Sequence, residues 1–183
     1  MSEQVVVVGV DGSPASYTGL RWALAHAGNT GGQVRAIRCW QPMSPLGREA
    51  AVTGEPVPPS AEQQTRVERE LDQIVAAALG QTPEAAQVAL RRRVARGPAG
   101  PVLVAETDGA ALLIVGSHGH RRIHELFFGS TSSYCARHAT CPVVIIPSAM
   151  ATRRALGAMS SARGFRAGYA ALVGFLSVSA AVR

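Results

Sequence analysis

The chain alternates short apolar runs with longer segments in which apolar residues recur every three or four positions. Residues 5–10 form an unbroken run rich in Val, which is typical of a parallel strand covered on both faces. Four further apolar runs predict the remaining strands: 34–40, 88–94, 111–115 and 143–146. Helical spacing predicts four helices between them: 14–28, 60–80, 98–108 and one that starts near 130. This alternation predicts an α/β domain with a parallel, doubly wound sheet and right-handed crossovers.

The polar residues at the starts of two helices support these boundaries. Ser13 is placed to cap the first helix, and Pro14 suits its first turn. Ser60 and Gln63 fit a capping box at the start of the second helix. In the fourth helix the spacing predicts an inward stripe of four residues: Thr131, Tyr134, Cys135 and His138.

The third predicted strand carries three consecutive charges, Arg91, Arg92 and Arg93. Charges along a strand are typical of a sheet edge, where they discourage edge-to-edge pairing. A nucleic-acid interpretation is not favoured, because no aromatic residues interleave with these arginines to stack bases. The pattern therefore predicts an edge strand.

Two segments lie outside the alternating pattern. Residues 41–59 are rich in Pro and Gly, and both a lid over a ligand and flexible filler fit such a long loop. Residues 149–164 are rich in Ala, Arg and Gly, and 167–182 contain no charge but are shorter than the ~20 residues that span a bilayer. We expect one folded domain over 1–148 and a loosely ordered tail over 149–183. A membrane-surface or partner helix in that tail is the alternative.

Composition permits a substantial core and separates the domain from the tail. Apolar residues make up 47% of the 183 residues and charged residues 16%. The net charge is +6, yet residues 1–150 hold thirteen Arg against twelve acids, whereas the remainder holds five Arg and no acid. The domain is therefore close to neutral, and a basic surface for nucleic acid is not indicated.

The three cysteines, Cys39, Cys135 and Cys141, are an odd number without a disulfide spacing. They indicate reduced thiols and a cytoplasmic protein. The first residues carry no basic segment ahead of the apolar run, so no signal peptide is expected.

The chemistry of the chain concentrates after the fourth strand. Gly116 and Gly119 stand three apart, and Gly129-Ser130-Thr131 follows at a helix start. Glycine N–H groups approach a ligand closely because no Cβ intervenes, and a helix N-terminus offers unpaired N–H groups and a positive dipole end. Strand, glycine loop and helix start together predict a phosphate cradle.

The spacing Gly116-x2-Gly119-x9-Gly129-Ser130 resembles the nucleotide-binding signature of the universal stress protein family. The opening of the chain, 5–13, and the stretch 141–147 are similar to that family's first and last strands. The three signatures occur in the family's order over residues 3–147. The resemblance implies a single Rossmann-like (adenine nucleotide α-hydrolase-like) domain whose five-stranded parallel sheet has the order 3-2-1-4-5.

With that order, the strand sequence reverses between strands one and four, and ligands of such sheets bind beyond the carboxyl ends of the strands at this point. Asp11 ends strand one and Gly116 ends strand four, so both face one crevice. A carboxylate there accepts hydrogen bonds from ribose hydroxyls. The other interpretation of Asp11 is a turn residue that bonds its own backbone.

The resemblance also implies the ATP-binding residues. Those that would contact the nucleoside are Gly9, Val10, Asp11 and Cys39, with Cys39 beside the adenine. Those that would contact ribose and phosphates are Val115, Gly116, Gly119, Gly129, Ser130 and Thr131. Cys39 and Thr131 replace the aliphatic residues common in the family. Cys behaves as a small hydrophobe, and the backbone N–H of Thr131 remains available.

Other site types fit less well. His118, His120 and His124, with the cysteines near the fourth helix, lack the paired spacing of a structural zinc site. The chain has neither a Walker A loop nor any Lys. Ser117 beside His118 is adjacent in sequence only, which does not create a nucleophile–base geometry. We therefore predict no catalytic residue and no protein-held metal.

The resemblance implies a cytoplasmic stress-response protein that binds ATP, with Mg²⁺ bound alongside the nucleotide, and acts as a switch or partner module. It also implies a homodimer through strand five, in the segment that begins at Pro142 and ends at Pro147. Two alternatives remain: a slow ATP hydrolase on the same fold, and a dimeric scaffold without nucleotide.

Overall fold

The computed structural model describes residues 4–42, 60–85, 87–117 and 129–147. Within these residues the chain forms five strands: Val5–Gly9 (β1), Gln33–Trp40 (β2), Ala89–Arg96 (β3), Leu112–Gly116 (β4) and Val143–Ile146 (β5). It also forms four α-helices: Pro14–Thr30 (α1), Ser60–Gly80 (α2), Ala99–Ala105 (α3) and Ser130–His138 (α4). A 3-10 helix, Pro83–Ala85, precedes β3.

The five strands form one parallel sheet in the order β3-β2-β1-β4-β5, which confirms the predicted fold. In the centre, Val6 of β1 pairs in register with Val34 of β2 on one side and Leu112 of β4 on the other. β3 lies at an edge, as its arginines predict, and β5 forms the opposite edge. The reversal of strand order therefore falls between β1 and β4.

Both faces of the sheet are covered, which explains the unbroken Val run. Val6 and Val8 pack with α1 and α2, whereas Val7 packs in a second cluster with α3 and α4. Since successive side chains of a strand point to opposite faces, a central strand needs apolar residues at every position. Each fully buried Val contributes roughly 1.5–3 kcal/mol relative to exposure.

The first helix begins as predicted and ends later. The Ser13 hydroxyl accepts a hydrogen bond from the Ser16 N–H at 3.2 Å, and Pro14 occupies the first turn. The helix continues to Thr30, two residues beyond Gly28 (the predicted end). Gly31 ends it in the left-handed conformation at φ 68°.

The third helix is shorter than the predicted 98–108. It begins at Ala99 because Gly97, at φ 142°, and Pro98 bring the chain in from β3 in a non-helical conformation. It ends at Ala105, before the buried carboxylate of Glu106. β3 itself runs two residues past its predicted end and one residue short of its predicted start.

The predicted inward stripe of the fourth helix is wrong in part. Ser132 and Cys135 are the buried residues of α4, whereas His138 is exposed. Ser132 turns inward because its hydroxyl hydrogen is shared, in a bifurcated bond, between the carbonyl oxygens of Gly129 at 3.0 Å and Ser117 at 3.3 Å. The half-buried Tyr134 ring packs over Gly100 of α3 and also lies against the exposed His138 ring, with centroids 4.3 Å apart.

Three predicted features lie outside the described residues: most of the 41–59 segment, the glycine-loop residues 118–128, and the tail from 148 onward. Within the part of the chain that the structure describes, no helix is long and apolar enough to cross a membrane.

Candidate functional site

A cleft opens where the carboxyl ends of β1 and β4 meet. Its empty space is about 490 Å³, part of it open to solvent. The described residues that line it come from both of these strands, β2, α1, α3 and α4. They are Gly9, Val10, Asp11, Ser16, Ile37, Cys39, Ala99, Leu103, Val115, Gly116 and Thr131.

Seven of the ten residues predicted for a nucleotide site lie together in this cleft: Gly9, Val10, Asp11, Cys39, Val115, Gly116 and Thr131. Gly129 and Ser130 are described but are not among the lining residues, and Gly119 lies outside the described residues. The sheet therefore brings together residues separated by up to 122 positions in the chain, from Gly9 to Thr131.

A backbone hydrogen bond holds Gly129 beside Ser117, the residue that follows β4. Its N–H donates to the Ser117 carbonyl oxygen at 2.7 Å, and the Ser117 N–H donates to the Ile146 carbonyl oxygen at 2.7 Å. Gly129 is also the residue before α4 and has no side chain to cap the first N–H groups of that helix. The start of α4, with Thr131 in the cleft wall, therefore offers N–H groups and a positive dipole end to an anion.

One carboxylate oxygen of Asp11 makes the turn hydrogen bond to its own loop that the second interpretation predicted. Its Oδ1 accepts a hydrogen bond from the Ser13 N–H at 2.9 Å, and Gly12 follows at φ 83°, a conformation that favours glycine. A carboxylate has about four acceptor positions, so a turn bond leaves the group able to accept from a ligand as well. The half-buried Asp11 lines the cleft while the turn holds it.

Four lining residues were missed from the sequence: Ser16, Ile37, Ala99 and Leu103. Ile37 was within reach of sequence reasoning, since it stands two positions before Cys39 and shares its face of β2. Ala99 and Leu103 enter because α3 crosses close to β1 at Gly9. A Cβ at Gly9 would lie 2.9 Å from Leu103 Cδ1, so any larger residue at this position would force Leu103 or the backbone to move.

Burial makes the thiols apolar groups. Burial raises the pKa of Cys39 to about 11, although the positive charge of Arg93 lowers this pKa in part. It raises the pKa of Cys135 to about 11 as well. Burial also raises the pKa of Cys141. All three are free thiols, which stay protonated near neutral pH and are poor nucleophiles. Cys39 therefore contributes an apolar wall.

The lining of the cleft combines apolar side chains with one carboxylate. Ile37, Cys39, Leu103 and Val115 are its larger apolar side chains, and Asp11 is its carboxylate. Among the described lining residues there is no His, Lys or Arg. No group of three or more His, Cys, Asp or Glu side chains within the described residues is placed to hold a metal ion. This arrangement suits the binding of a ligand with a ring, hydroxyl groups and an anionic end.

Sequence comparison connects this geometry to known proteins. Residues 3–147 match the model of the Universal stress protein family. A universal stress protein of Mycolicibacterium smegmatis is 30% identical over 141 residues, which cover 77% of this chain and 45% of the relative. The chain spans about half the length of the curated relatives it matches.

Solved structures share the fold. The crystal structure of a universal stress protein in complex with cAMP has a TM-score of 0.53 and 24% identity, and the match covers 80% of this chain and 98% of that one. A universal stress protein family protein of Arabidopsis thaliana with AMP bound has a TM-score of 0.54 and 17% identity, and that match covers 81% of this chain and 94% of the other. At these identities the similarity establishes the fold.

Proposed function

This chain belongs to the universal stress protein family, and we propose that it binds ATP, with a divalent ion, as a cytoplasmic nucleotide-dependent stress-response module. One observation carries the proposal: the cleft at the reversal of strand order has a carboxylate on the β1 side and, on the β4 side, a helix start that Gly129 does not cap. Two solved relatives, one in complex with cAMP and one with AMP bound, support an adenine nucleotide as the ligand.

The adenine would pack in the apolar part of the cleft. Ile37 and Cys39 come from β2, Leu103 comes from α3, and Val115 comes from β4, so apolar surface approaches from three elements. A flat ring gains most from such burial, at roughly 25 cal/mol per Å² of apolar area removed from water. The ribose would then lie toward Asp11, at the end of β1.

The phosphates would lie toward Gly116 and the start of α4. Gly116 has no side chain, so the backbone there can approach a phosphate closely. The first N–H groups of α4, near Thr131, can donate to the phosphate oxygens. Gly129 and Ser130, which were predicted to contact phosphates, lie at this start of α4, and the contact of Gly119 stays a prediction from the sequence. Mg²⁺ bound to ATP would neutralise phosphate charge and keep several waters, so it requires few protein ligands.

The described lining residues favour binding over turnover. Asp11 and Cys39 are the titratable side chains among them, and the Cys39 thiol stays protonated at neutral pH. Neither forms a nucleophile–base pair with another described lining residue. We therefore propose a switch, in which bound nucleotide changes the affinity for a partner, with hydrolysis below about 1 per second.

We also propose a homodimer through β5. In the described sheet β5 pairs with β4 alone, and its backbone offers an open edge without charged side chains. The carbonyl oxygens of Pro142 and Ile146 accept from Leu113 and Ser117, so residues of even number bond to β4. Val143 and Ile145 then direct their N–H and C=O groups outward, where a second β5 strand can pair.

Calorimetric titration of the full chain tests the nucleotide proposal. ATP with Mg²⁺ is expected to bind with a dissociation constant on the order of 1–100 µM. AMP, cAMP and GTP are titrated in parallel. Asp11→Asn keeps the turn acceptor for the Ser13 N–H and removes the charge, so we expect about a tenfold loss of ATP affinity. Gly119→Val is expected to abolish binding, because a β-branched side chain blocks phosphate approach.

The matched control is Asp72→Asn. It neutralises an exposed carboxylate of α2 that pairs with Arg92 of β3, outside the cleft. It should bind ATP like the original chain. Unchanged ATP affinity in both Asp11→Asn and Gly119→Val would contradict the proposed site. Binding of no adenine nucleotide would instead favour a scaffold. Turnover well above 1 per second would make the protein an enzyme.

A further inference from the structure

We infer that Ser16 is a positioning residue that holds Asp11 for recognition of ribose hydroxyls, so that this site selects ribonucleotides over deoxyribonucleotides. The inference rests on the proposed function, since it presumes an adenine nucleotide in the cleft. It concerns a residue that borders the cleft without being a ligand contact.

The hydroxyl of Ser16 is engaged within the protein. Ser16 is 2% exposed, and its Oγ donates to the Ser13 carbonyl oxygen at 2.9 Å and accepts from the Asp11 N–H at 3.3 Å. A serine hydroxyl has a single hydrogen to donate. Because that hydrogen is directed to Ser13, Ser16 acts on a ligand through the loop that carries Asp11.

The same loop holds the carboxylate. The Ser13 N–H donates to Asp11 Oδ1 at 2.9 Å, and the Ser16 N–H donates to Ser13 Oγ at 3.2 Å. Four hydrogen bonds therefore join Asp11, Ser13 and Ser16 into one network around Gly12. Both serines are buried, so water competes little for these bonds.

This network fixes both the backbone and the side chain of Asp11 before a ligand arrives. A pre-positioned acceptor discriminates strongly against a ligand that lacks the matching hydroxyl, because ordering costs are already met. Loss of the Ser16 hydroxyl would remove its hydrogen bond with the Asp11 N–H and loosen the loop that carries the carboxylate, whereas the Ser13 carbonyl oxygen keeps its bond from the Tyr17 N–H. Contacts to adenine and phosphates arise from other elements and would be retained.

The test compares the affinities of the full chain for ATP, 2′-deoxy-ATP and 3′-deoxy-ATP, each with Mg²⁺, by calorimetric titration. In Ser16→Ala we expect ATP to bind about tenfold more weakly. The affinity for at least one of the two deoxynucleotides should change less than about twofold, so the preference for ATP over that deoxynucleotide should largely disappear. A merely structural serine would weaken all three nucleotides alike and leave the ratios unchanged.

Two other serines provide matched controls. Ser132→Ala removes a hydroxyl that is equally buried but bonds to Gly129 and Ser117 on the opposite side of the cleft, so it should leave the ratios unchanged. Ser13→Ala removes the helix cap while retaining the backbone groups that bond to Asp11 and Ser16. It should lower the free energy of unfolding, as is typical of a lost cap, and reduce selectivity less than Ser16→Ala does, because the Ser13 N–H still donates to Asp11 Oδ1.

A double-mutant cycle separates the inference from the proposed function. If Ser16 acts through Asp11, then adding Ser16→Ala to Asp11→Asn should lower the affinity for ATP by less than about a further twofold. Ser16→Cys, with a similar volume and only weak hydrogen bonding, serves as a second variant should Ser16→Ala fold poorly. Binding of ATP with unchanged ratios in the Ser16 variants would overturn the inference alone, whereas binding of no nucleotide by the original chain would overturn the proposed function.

Discussion

Gly9 decides how closely α3 approaches the sheet and thereby shapes the cleft. A Cβ at this position would lie 2.9 Å from Leu103 Cδ1 and 3.6 Å from Val115 Cγ1. The first distance is shorter than side-chain packing allows, so either Leu103 or the backbone would have to move. Because Leu103 is buried and lines the cleft, this one contact couples core packing to the adenine wall of the proposed site.

Gly9→Ala is therefore expected to lower the free energy of unfolding by about 1–3 kcal/mol through overpacking. In a Leu103→Ala background, which itself costs about 2–5 kcal/mol, the same change should cost much less because the space is vacant. Urea unfolding of the original chain, the two single variants and the double variant measures this coupling.

Gly80→Ala is the control for the glycine change, since a Cβ there meets nothing within 4 Å. It should shift stability by no more than about 0.5 kcal/mol. An equal cost for Gly9→Ala with and without Leu103 would show that the close approach is not the cause.

At the scale of elements, the end of α3 is attached to the sheet by charge. The Glu106 carboxylate, 9% exposed, accepts from Arg35 of β2 at 2.9 Å and pairs with Arg93 of β3. Arg92, the neighbour of Arg93, points to the other face and pairs with Asp72 of α2 at 2.7 Å, where both side chains are more than half exposed. The arginines of β3 thus bind both helical layers, which adds a role to the predicted edge strand.

Glu106→Gln is expected to destabilise the protein by about 1–3 kcal/mol, because two guanidinium groups lose a shared and buried partner. Asp72→Asn, with the same chemical change at an exposed pair, should cost no more than about 1 kcal/mol. Thermal unfolding at low and at 0.5 M salt distinguishes the two, since salt screens the exposed pair far more. Equal costs for the two variants would refute the importance of burial at Glu106.

At the scale of the whole molecule, the two edges of the sheet differ in chemistry. β3 carries arginines at 91, 92, 93 and 96, which discourage pairing with another strand. β5 reads Val143–Ile146 without a charge and leaves alternate backbone groups unpaired within the described sheet. The proposed dimer therefore uses the β5 edge.

Ile145→Pro is expected to convert that dimer to a monomer, because proline removes an N–H that faces outward and spares the bonds to β4. Light scattering should then show the 19.1 kDa of one chain in place of twice that mass. Val144→Pro, which removes an N–H directed to β4, should instead lower the stability of the domain. A dimer that persists in folded Ile145→Pro would place the interface elsewhere.

Much of the site follows from local features of the sequence. Asp11, Gly116 and Thr131 stand directly after strands or at a helix start, so strand periodicity and the family's strand order were enough to predict that they meet. The same reasoning predicted Ser13 as a cap, because capping involves residues only three apart.

The sequence by itself determined which residues form strands, which strand lies at the charged edge and which strand ends border the cleft, because these depend on periodicity and on short-range bonds. Only the tertiary structure decided that Leu103 and Ala99 of α3 wall the cleft, that Ser16 borders it, and that Ser130 does not. It also decided that His138 lies outside and Ser132 inside. These positions depend on how closely helices cross the sheet and on which carbonyl a hydroxyl reaches, and both are set by packing between segments distant in the chain.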